Sequence, residues 1–243
     1  MTFSTLDTLR TEARVLLKFL TSDKPVVWTV VCLMLLILVM NGIYAVAALL
    51  DGNSSTAKVI SEFLNPSRDG AFSETIAYGL SFSAFVLFLV TYIEHRVQSA
   101  LFLAVLMAFI WFDDSASYHE TTGEFLAENL DLITLPGLRA QDTGEVLAWG
   151  IAAFALVCVL LFCIRHTKPG DFGAFAVTGL AFLFLVFCGV FLDLLHSATD
   201  QRLSTAIGLM EDGGEMLALA LIMGIALGLA RNGRTYFSSF ANA

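Results

Sequence analysis

Long apolar runs alternate with short polar segments along most of this chain. A transmembrane helix needs about 20 mostly apolar residues to cross a hydrocarbon core of about 30 Å. The last run, residues 216–230, is shorter than this, so its helix has to include an upstream turn that contains Glu215. The pattern predicts an all-α, polytopic membrane protein with six spans, at about 26–50, 74–93, 97–117, 145–164, 172–196 and 206–230.

The first 24 residues follow an amphipathic pattern instead. Apolar residues recur at helical spacing over residues 5–20, while Arg10, Arg14 and Lys18 step by four along another face. This predicts a helix lying on an anionic membrane surface, with a short solvated arm as the alternative. The next run is too long for the apolar core of a signal peptide, so we interpret it as a retained helix. The predicted organisation is an interfacial segment (1–24), a six-helix transmembrane domain (25–231) and a tail (232–243).

The composition agrees with a membrane protein. The chain is 57% hydrophobic and only 14% charged, whereas a soluble domain has about 25% charged residues. The formal net charge of −9 argues against a nucleic-acid partner. The four cysteines lie in apolar runs without a CxxC pair, which indicates small buried side chains rather than disulfides.

The distribution of charge predicts the orientation. Nine of the 13 Lys and Arg residues lie on the side that would hold both termini, and the positive-inside rule makes that side cytoplasmic. Seventeen of the 22 acidic residues lie on the other side. Two loops there contain predicted surface helices, over Ser55–Leu64 and Thr122–Leu132. In a bacterial inner membrane, which we take as the location, the acidic side faces the periplasm.

Three motifs on the acidic side carry most of the candidate chemistry: Trp111–Glu120 (WFDDSASYHE), Phe191–His196 (FLDLLH) and Met210–Met216 (MEDGGEM). Acids and histidines three or four residues apart share a helix face, and helical bundles build metal sites from such pairs. A mixed nitrogen and oxygen set suits one or two ions of zinc, iron or manganese. The predicted metal ligands are Asp113, Asp114, His119, Asp193, His196, Glu211 and Glu215, with Tyr118 and Glu120 as candidate catalytic residues beside them.

Other interpretations of these residues remain open. Acids near helix N-termini stabilise the helix dipole, which accounts for Glu74, Glu145 and in part Glu211. The cluster also suits proton or cation conduction, although the other halves of the spans offer few polar side chains for a path. Haem is disfavoured, because His119 and His196 lie at one membrane edge and no second pair faces them.

The residues FDDSASYHE, together with MEDGGEM, resemble a pattern in uncharacterised bacterial multi-pass membrane proteins. In that pattern an acidic pair precedes His-Glu at one helix end, and an acidic pair followed by Glu-Met opens a later helix. The resemblance implies no particular activity. A looser similarity is to the ceramidase/progestin-receptor-like membrane hydrolases, which implies zinc hydrolysis, but the final helix here lacks their paired histidines and the chain has six spans rather than seven.

These observations lead to three hypotheses about function. The first is a metal-dependent enzyme acting on a lipid or another membrane-soluble substrate, with the metal site between the third, fifth and sixth spans. The second is a proton or divalent-cation transporter or channel. The third is an accessory subunit that docks onto other membrane subunits. Membrane lipids are the expected partners in all three.

Overall fold

A computed structural model describes residues 3–50, 52, 54–66, 68, 70–132, 139–192, 195 and 201–241. Within these ranges the chain is helical and has no β-strand. Six helices are long and apolar enough to cross a membrane, which confirms the predicted fold class. The described elements, numbered in chain order, are α1 (Phe3–Ser22), α2 (Lys24–Leu50), α3 (Ser55–Leu64), α4 (Phe72–His95), α5 (Gln98–Ala116), α6 (Tyr118–Asn129), α7 (Ala140–Arg165), α8 (Asp171–Val186), a π-helical turn (Phe187–Leu192) and α9 (Gln201–Ala241).

Helix α9 is the centre of the bundle and packs against α2, α4 and α8. Its most apolar part is 67% buried, whereas the corresponding parts of α2 and α7 are 22% and 17% buried. Small side chains allow this close packing: Ala218, Ala220 and Ala226 have no exposed surface. The central helix is therefore enclosed by protein, and the outer helices present most of their surface to the surroundings.

The outer surface of the bundle is apolar. Leu49 is 83% exposed, Phe154 on α7 is 73% exposed and Leu180 on α8 is 70% exposed. Exposure of many large apolar side chains is unusual in a soluble protein but is what lipid-facing helices require. The chain thus folds as a helical bundle of the membrane-protein type.

The tight loops α4–α5 and α7–α8 lie at one end of the bundle, the basic end. Helix α1 packs there against α8 and α9, with Leu16 and Leu20 buried. Glu12, only 3% exposed, accepts hydrogen bonds from the backbone N–H groups of Gly170 (2.9 Å) and Gly173 (3.0 Å). Its carboxylate thus satisfies N–H groups at the start of α8, which lack partners within the helix. The amphipathic helix α1 is thus attached to the bundle at its basic end.

A second carboxylate at the basic end joins α8 to α5. Asp171 is fully buried, and its oxygens accept hydrogen bonds from the backbone N–H groups of Gln98 (3.3 Å), Ser99 (2.8 Å) and Lys168 (2.6 Å). The Ser99 hydroxyl also donates to it. Gln98 and Ser99 open α5, so Asp171 caps the N-terminus of a neighbouring helix. Both buried acids at this end are therefore structural.

The opposite, acidic end is where α5 ends and where α4 and α7 begin. The surface helix predicted over Ser55–Leu64 is confirmed as α3. The helix predicted over Thr122–Leu132 starts one turn earlier, at Tyr118, and ends at Asn129. Here Ser117, in the left-handed conformation (φ 45°), separates α5 from α6. This break decides the geometry of the acidic end.

Candidate functional site at the acidic end

The best-defined ionisable group at the acidic end is a hydrogen-bonded pair, Asp113 and His119. Asp113 lies on the last turn of α5 and has no exposed surface. His119 opens α6, and its ring Nδ1 lies 3.0 Å from Asp113 Oδ2. The backbone N–H of His119 also donates to Asp113 Oδ1, at 3.1 Å. The aspartate therefore fixes both the backbone and the ring of the histidine.

The turn at Ser117 brings these two residues together. The backbone N–H of Ser117 bonds to the carbonyl of Asp113, and the left-handed φ of Ser117 then redirects the chain into α6. A helix continuing through this point would have aligned Asp113 with Glu120, seven residues on. Because the helix breaks, His119 folds back onto Asp113 instead, and Glu120 lies exposed on α6.

The other side of His119 is formed by α7. The imidazole ring of His119 lies over the indole of Trp149 on α7, with ring centroids 5.6 Å apart and an interplanar angle of 37°. Helices α6 and α7 approach so closely that a Cβ added to Gly144 of α7 would lie 2.2 Å from the carbonyl oxygen of Gly123 of α6. Only glycine allows this approach, because any side chain would push the helices apart. The glycine contact thus holds His119 between the buried aspartate and the indole.

The charges around His119 favour its protonated form. The hydrogen bond to Asp113 raises the pKa of His119 above its ordinary value of 6.5. Desolvation opposes this shift, whereas the negative charges of Asp113, Glu120 and Glu145 reinforce it. The side chain of His119 is 27% exposed and that of Asp113 is 0% exposed. The pair consequently combines a fully buried carboxyl group with a partly exposed ring.

The backbone of Asp114, on α5, contacts a neighbouring group of side chains on α4. The Tyr78 hydroxyl lies 3.0 Å from the backbone carbonyl oxygen of Asp114 and also contacts the carboxylate of Glu74. Glu74 in turn accepts a hydrogen bond from the backbone N–H of Gly70, just before α4. Glu74 is therefore held at the start of α4, as its predicted role at a helix N-terminus requires.

The acids of α9 lie at another junction, with α2 and the π-helical turn. A Cβ added to Gly189 would lie 2.1 Å from Glu215 Oε1, and one added to Gly214 would lie 2.5 Å from Cys188 Sγ. Gly213 faces the Asn41 side chain of α2 in the same way, at 3.0 Å from Nδ2. The two glycines between the glutamates thus admit neighbouring helices closely.

The described members of the predicted ligand set lie on three helices, α5, α6 and α9. Helix α4 packs extensively against both α5 and α9, whereas α5 and α9 have no extensive contact with each other there. The described residues contain no group of three His, Cys, Asp or Glu side chains arranged to hold a metal ion. Asp193 and His196 lie outside the described residues, and Asp193 would directly follow the π-helical turn. Convergence of the full ligand set stays a prediction.

The two candidate catalytic residues differ in their surroundings. The Tyr118 ring packs against Phe112 and Phe109, with centroid distances of 5.8 and 6.1 Å. Glu120, although exposed, acts on His119 through its charge. Trp149 was not anticipated as part of this site, since an aromatic residue in an apolar run carries no distinctive pattern. Its position four residues after Glu145 is the one available signal.

The fold and this site together define a class: a polytopic helical-bundle membrane protein with a buried ionisable pair at one end. Comparison with protein families then places the chain more closely. It belongs to the family described as Domain of unknown function (DUF8692), whose model matches residues 26–229. Neither the curated proteins nor the solved structures give a match to the chain. The family description names no activity, and the resemblance to ceramidase-like hydrolases finds no support.

Proposed function

We propose that the protein is a proton-responsive membrane protein, with the Asp113–His119 pair as its proton-binding site. The observation that carries the proposal is the contact between the fully buried carboxylate and the partly exposed ring, at 3.0 Å. A buried carboxylate is stable only when a positive charge or hydrogen-bond donors compensate it. Protonated His119 supplies that charge, and its side chain is 27% exposed.

The proton exchanges at the ring nitrogen that Asp113 does not hold. Nδ1–H donates to Asp113, so gain and loss of the proton occur at Nε2. Loss of the proton weakens the tie between the end of α5 and the start of α6. Because α6 packs closely on α7, the change passes to a second membrane-length helix. The proposed response is a shift of the α6–α7 hairpin relative to α5.

Titration of the imidazole groups by NMR tests this proposal directly. The chain has four histidines, and a His119→Gln variant identifies the signal of His119. We expect the pKa of His119 to lie above 6.5 in the wild type and to be lower in Asp113→Asn, which lacks the charge of Asp113. His166 serves as an internal reference, because it lies at the basic end and its Nδ1 bonds to the Phe162 carbonyl (2.8 Å). Titration of His119 at or below 6.5 in the wild type would refute the proposal.

A divalent metal site is a second candidate function, favoured by the same hydrogen bond. A metal-binding histidine usually donates its second ring N–H to a carboxylate or carbonyl oxygen, which orients the other nitrogen toward the metal. Asp113 holds Nδ1 of His119 in this way. Within the described ranges no third ligand joins them, so a complete site needs residues such as Asp193 and His196. A metal-dependent enzyme using Glu120 and Tyr118 would be an elaboration of this second candidate.

Elemental analysis of the purified protein separates the two candidates. If the site binds metal, the purified protein should contain about one or two equivalents of zinc, iron or manganese per chain. This metal should be lost in the double variant Asp193→Ala/His196→Ala and reduced in His119→Gln. The proton site predicts the raised His119 pKa in protein stripped of metal by a chelator. A raised pKa in metal-free protein, with no metal recovered from the native protein, would leave proton binding as the function of the pair.

A further inference from the structure

An apolar groove of about 640 Å³ lies on α2, away from the Asp113–His119 pair. Its wall is the face of α2 formed by Val39, Ile43, Val46 and Leu50, all of which are about half exposed. Ala57 and Ile60 of α3 close it at the acidic end. Gly42 leaves its middle open, since no atom lies within 4 Å of a Cβ added there.

The groove has the depth of one bilayer leaflet. From residue 39 to residue 50 the helix rises about 16 Å, and half of a hydrocarbon core of about 30 Å is about 15 Å. At its closed end the lining includes the polar residues Ser54 and Thr56. The Ser54 hydroxyl caps α3 by accepting from the Ala57 N–H (3.4 Å). The lining thus changes from apolar to polar at the depth where hydrocarbon gives way to headgroups.

Helix α3 has the surface pattern of a helix lying in that interface. Its face toward the bundle is buried at Ala57, Ser61 and Leu64. Val59 and Phe63 on its outer side are 66% and 57% exposed, which is costly in water but favourable at the boundary of the acyl chains. The helix therefore roofs the groove at the level of the headgroups.

We propose that the groove between α2 and α3 holds one acyl chain of a bilayer phospholipid. Its lining offers no charged side chain, so it selects hydrocarbon. Lys58 on α3 and Arg68 beyond its end do not line the groove, and their charged groups lie 4.0 and 3.9 Å from the Glu62 carboxylate. Recognition therefore rests on the chain and its depth rather than on the charge of the headgroup. This inference is independent of the proton-binding proposal.

Filling the groove with a side chain tests the proposal. Gly42→Trp places an indole in the open space, and Gly150→Trp is the matched control, because Gly150 on α7 also has no atom within 4 Å of an added Cβ but lies outside the groove. After extraction into mild detergent, native mass spectrometry counts the phospholipids retained per protein. We expect the wild type and Gly150→Trp to retain one more phospholipid than Gly42→Trp. Equal retention in all three proteins would overturn the proposal.

A second measurement leaves Gly42 unchanged and places a fluorescent probe at position 60 in the lining of the groove. Ile60→Trp and Phe154→Trp, each in a background with the native tryptophans replaced by Phe, are reconstituted with phospholipids that carry brominated chains. Both indoles are expected to be quenched in the bilayer, since both positions are exposed and apolar. After dilution into detergent, quenching should persist at residue 60 and disappear at residue 154. Loss of quenching at both positions would mean that no chain is held beneath α3.

Discussion

Breaking the Asp113–His119 pair should destabilise the bundle in a pH-dependent way. Asp113→Asn keeps the shape of the side chain but removes its charge, while both His119 donors, at 3.0 and 3.1 Å, still point at it. The amide oxygen can accept one of these hydrogen bonds, and the amide NH₂ then faces the other donor. A hydrogen bond to a charged group contributes about 1.5–3 kcal/mol, so we expect a loss of about 2 kcal/mol.

The double-mutant cycle isolates the contribution of the pair. His119→Gln removes the same ring hydrogen bond, and its cost should also be about 2 kcal/mol. Because both substitutions break one shared interaction, the double variant should lose less than the sum, with a coupling energy of about 1–2 kcal/mol. The assay is reversible unfolding by SDS in mixed micelles, followed by circular dichroism.

The sign of the pH dependence follows from the raised pKa of His119. A group whose pKa is higher in the folded state stabilises the fold fully below its unfolded value of 6.5, and this stabilisation is lost as the pH rises through the folded value. The coupling energy should therefore be larger at about pH 6 than at about pH 9.

An exposed pair at the same end provides the control. Arg139 Nη2 and Asp142 Oδ1 lie 2.7 Å apart, but the Arg139 side chain is 75% exposed. Surface pairs of this kind contribute little because water and salt screen them. A cycle on Arg139 and Asp142 should give a clearly smaller coupling energy. The reasoning would be refuted if the Asp113–His119 coupling were no larger than this control, or if it did not change with pH.

Three further predictions follow from single contacts. Asp171→Asn should cost about 2–4 kcal/mol in SDS unfolding at neutral pH, because the variant loses at least one charge-assisted hydrogen bond at the start of α5; an effect below about 0.5 kcal/mol would contradict the capping role. Gly144→Val should separate α6 from α7 and lower the free energy of unfolding by about 1–3 kcal/mol. Because Trp149 would then move away from the His119 ring, its fluorescence should no longer change with pH, as measured in a background without the other tryptophans. A variant whose fluorescence titrates as in the wild type would disprove the contact. Hydrogen bonds from Asn232 and Arg231 lower the pKa of Asp23. The contribution of Asp23 to the free energy of unfolding is therefore present above the unfolded pKa of 3.8 and is lost as the pH falls through the folded pKa. Asp23→Asn should reduce the loss of stability at acid pH, and an unchanged loss would argue against the contact.

The elements of the fold were predictable because each has a local cause. Span lengths follow from the number of apolar residues needed to cross a bilayer, and six such helices are present. The bounds of α3 follow from the Ser54 cap and from Pro66 beyond its end. Burial is harder to read from composition, since α2 and α9 are both strongly apolar and only α9 is enclosed by the other helices.

The details of the candidate site depended on one residue without a sequence signature. Ser117 adopts the left-handed conformation that glycine usually supplies, and this break sends His119 back to Asp113. A continuing helix would instead have aligned Asp113 with Glu120, seven residues further on. The grouping of Asp114 and His119 with Glu211 and Glu215 rested on topology alone. These residues lie on three helices, α5, α6 and α9, and α4 packs against α5 and α9. Which residues share a helix end was predictable, but which of them touch was not.

The two ends of the bundle show why the same residue type has different roles. Asp171 and Glu12 lie where α5 and α8 begin, so backbone N–H groups compensate their charges permanently. Asp113 lies at the C-terminal end of α5, where the helix dipole opposes a negative charge. The carboxylate of Asp113 is compensated by the backbone N–H of His119 and by the imidazole ring of His119, which can lose its charge. Helix polarity therefore explains why backbone N–H groups compensate Glu12 and Asp171 at the basic end, whereas Asp113 at the acidic end also contacts the ring of His119.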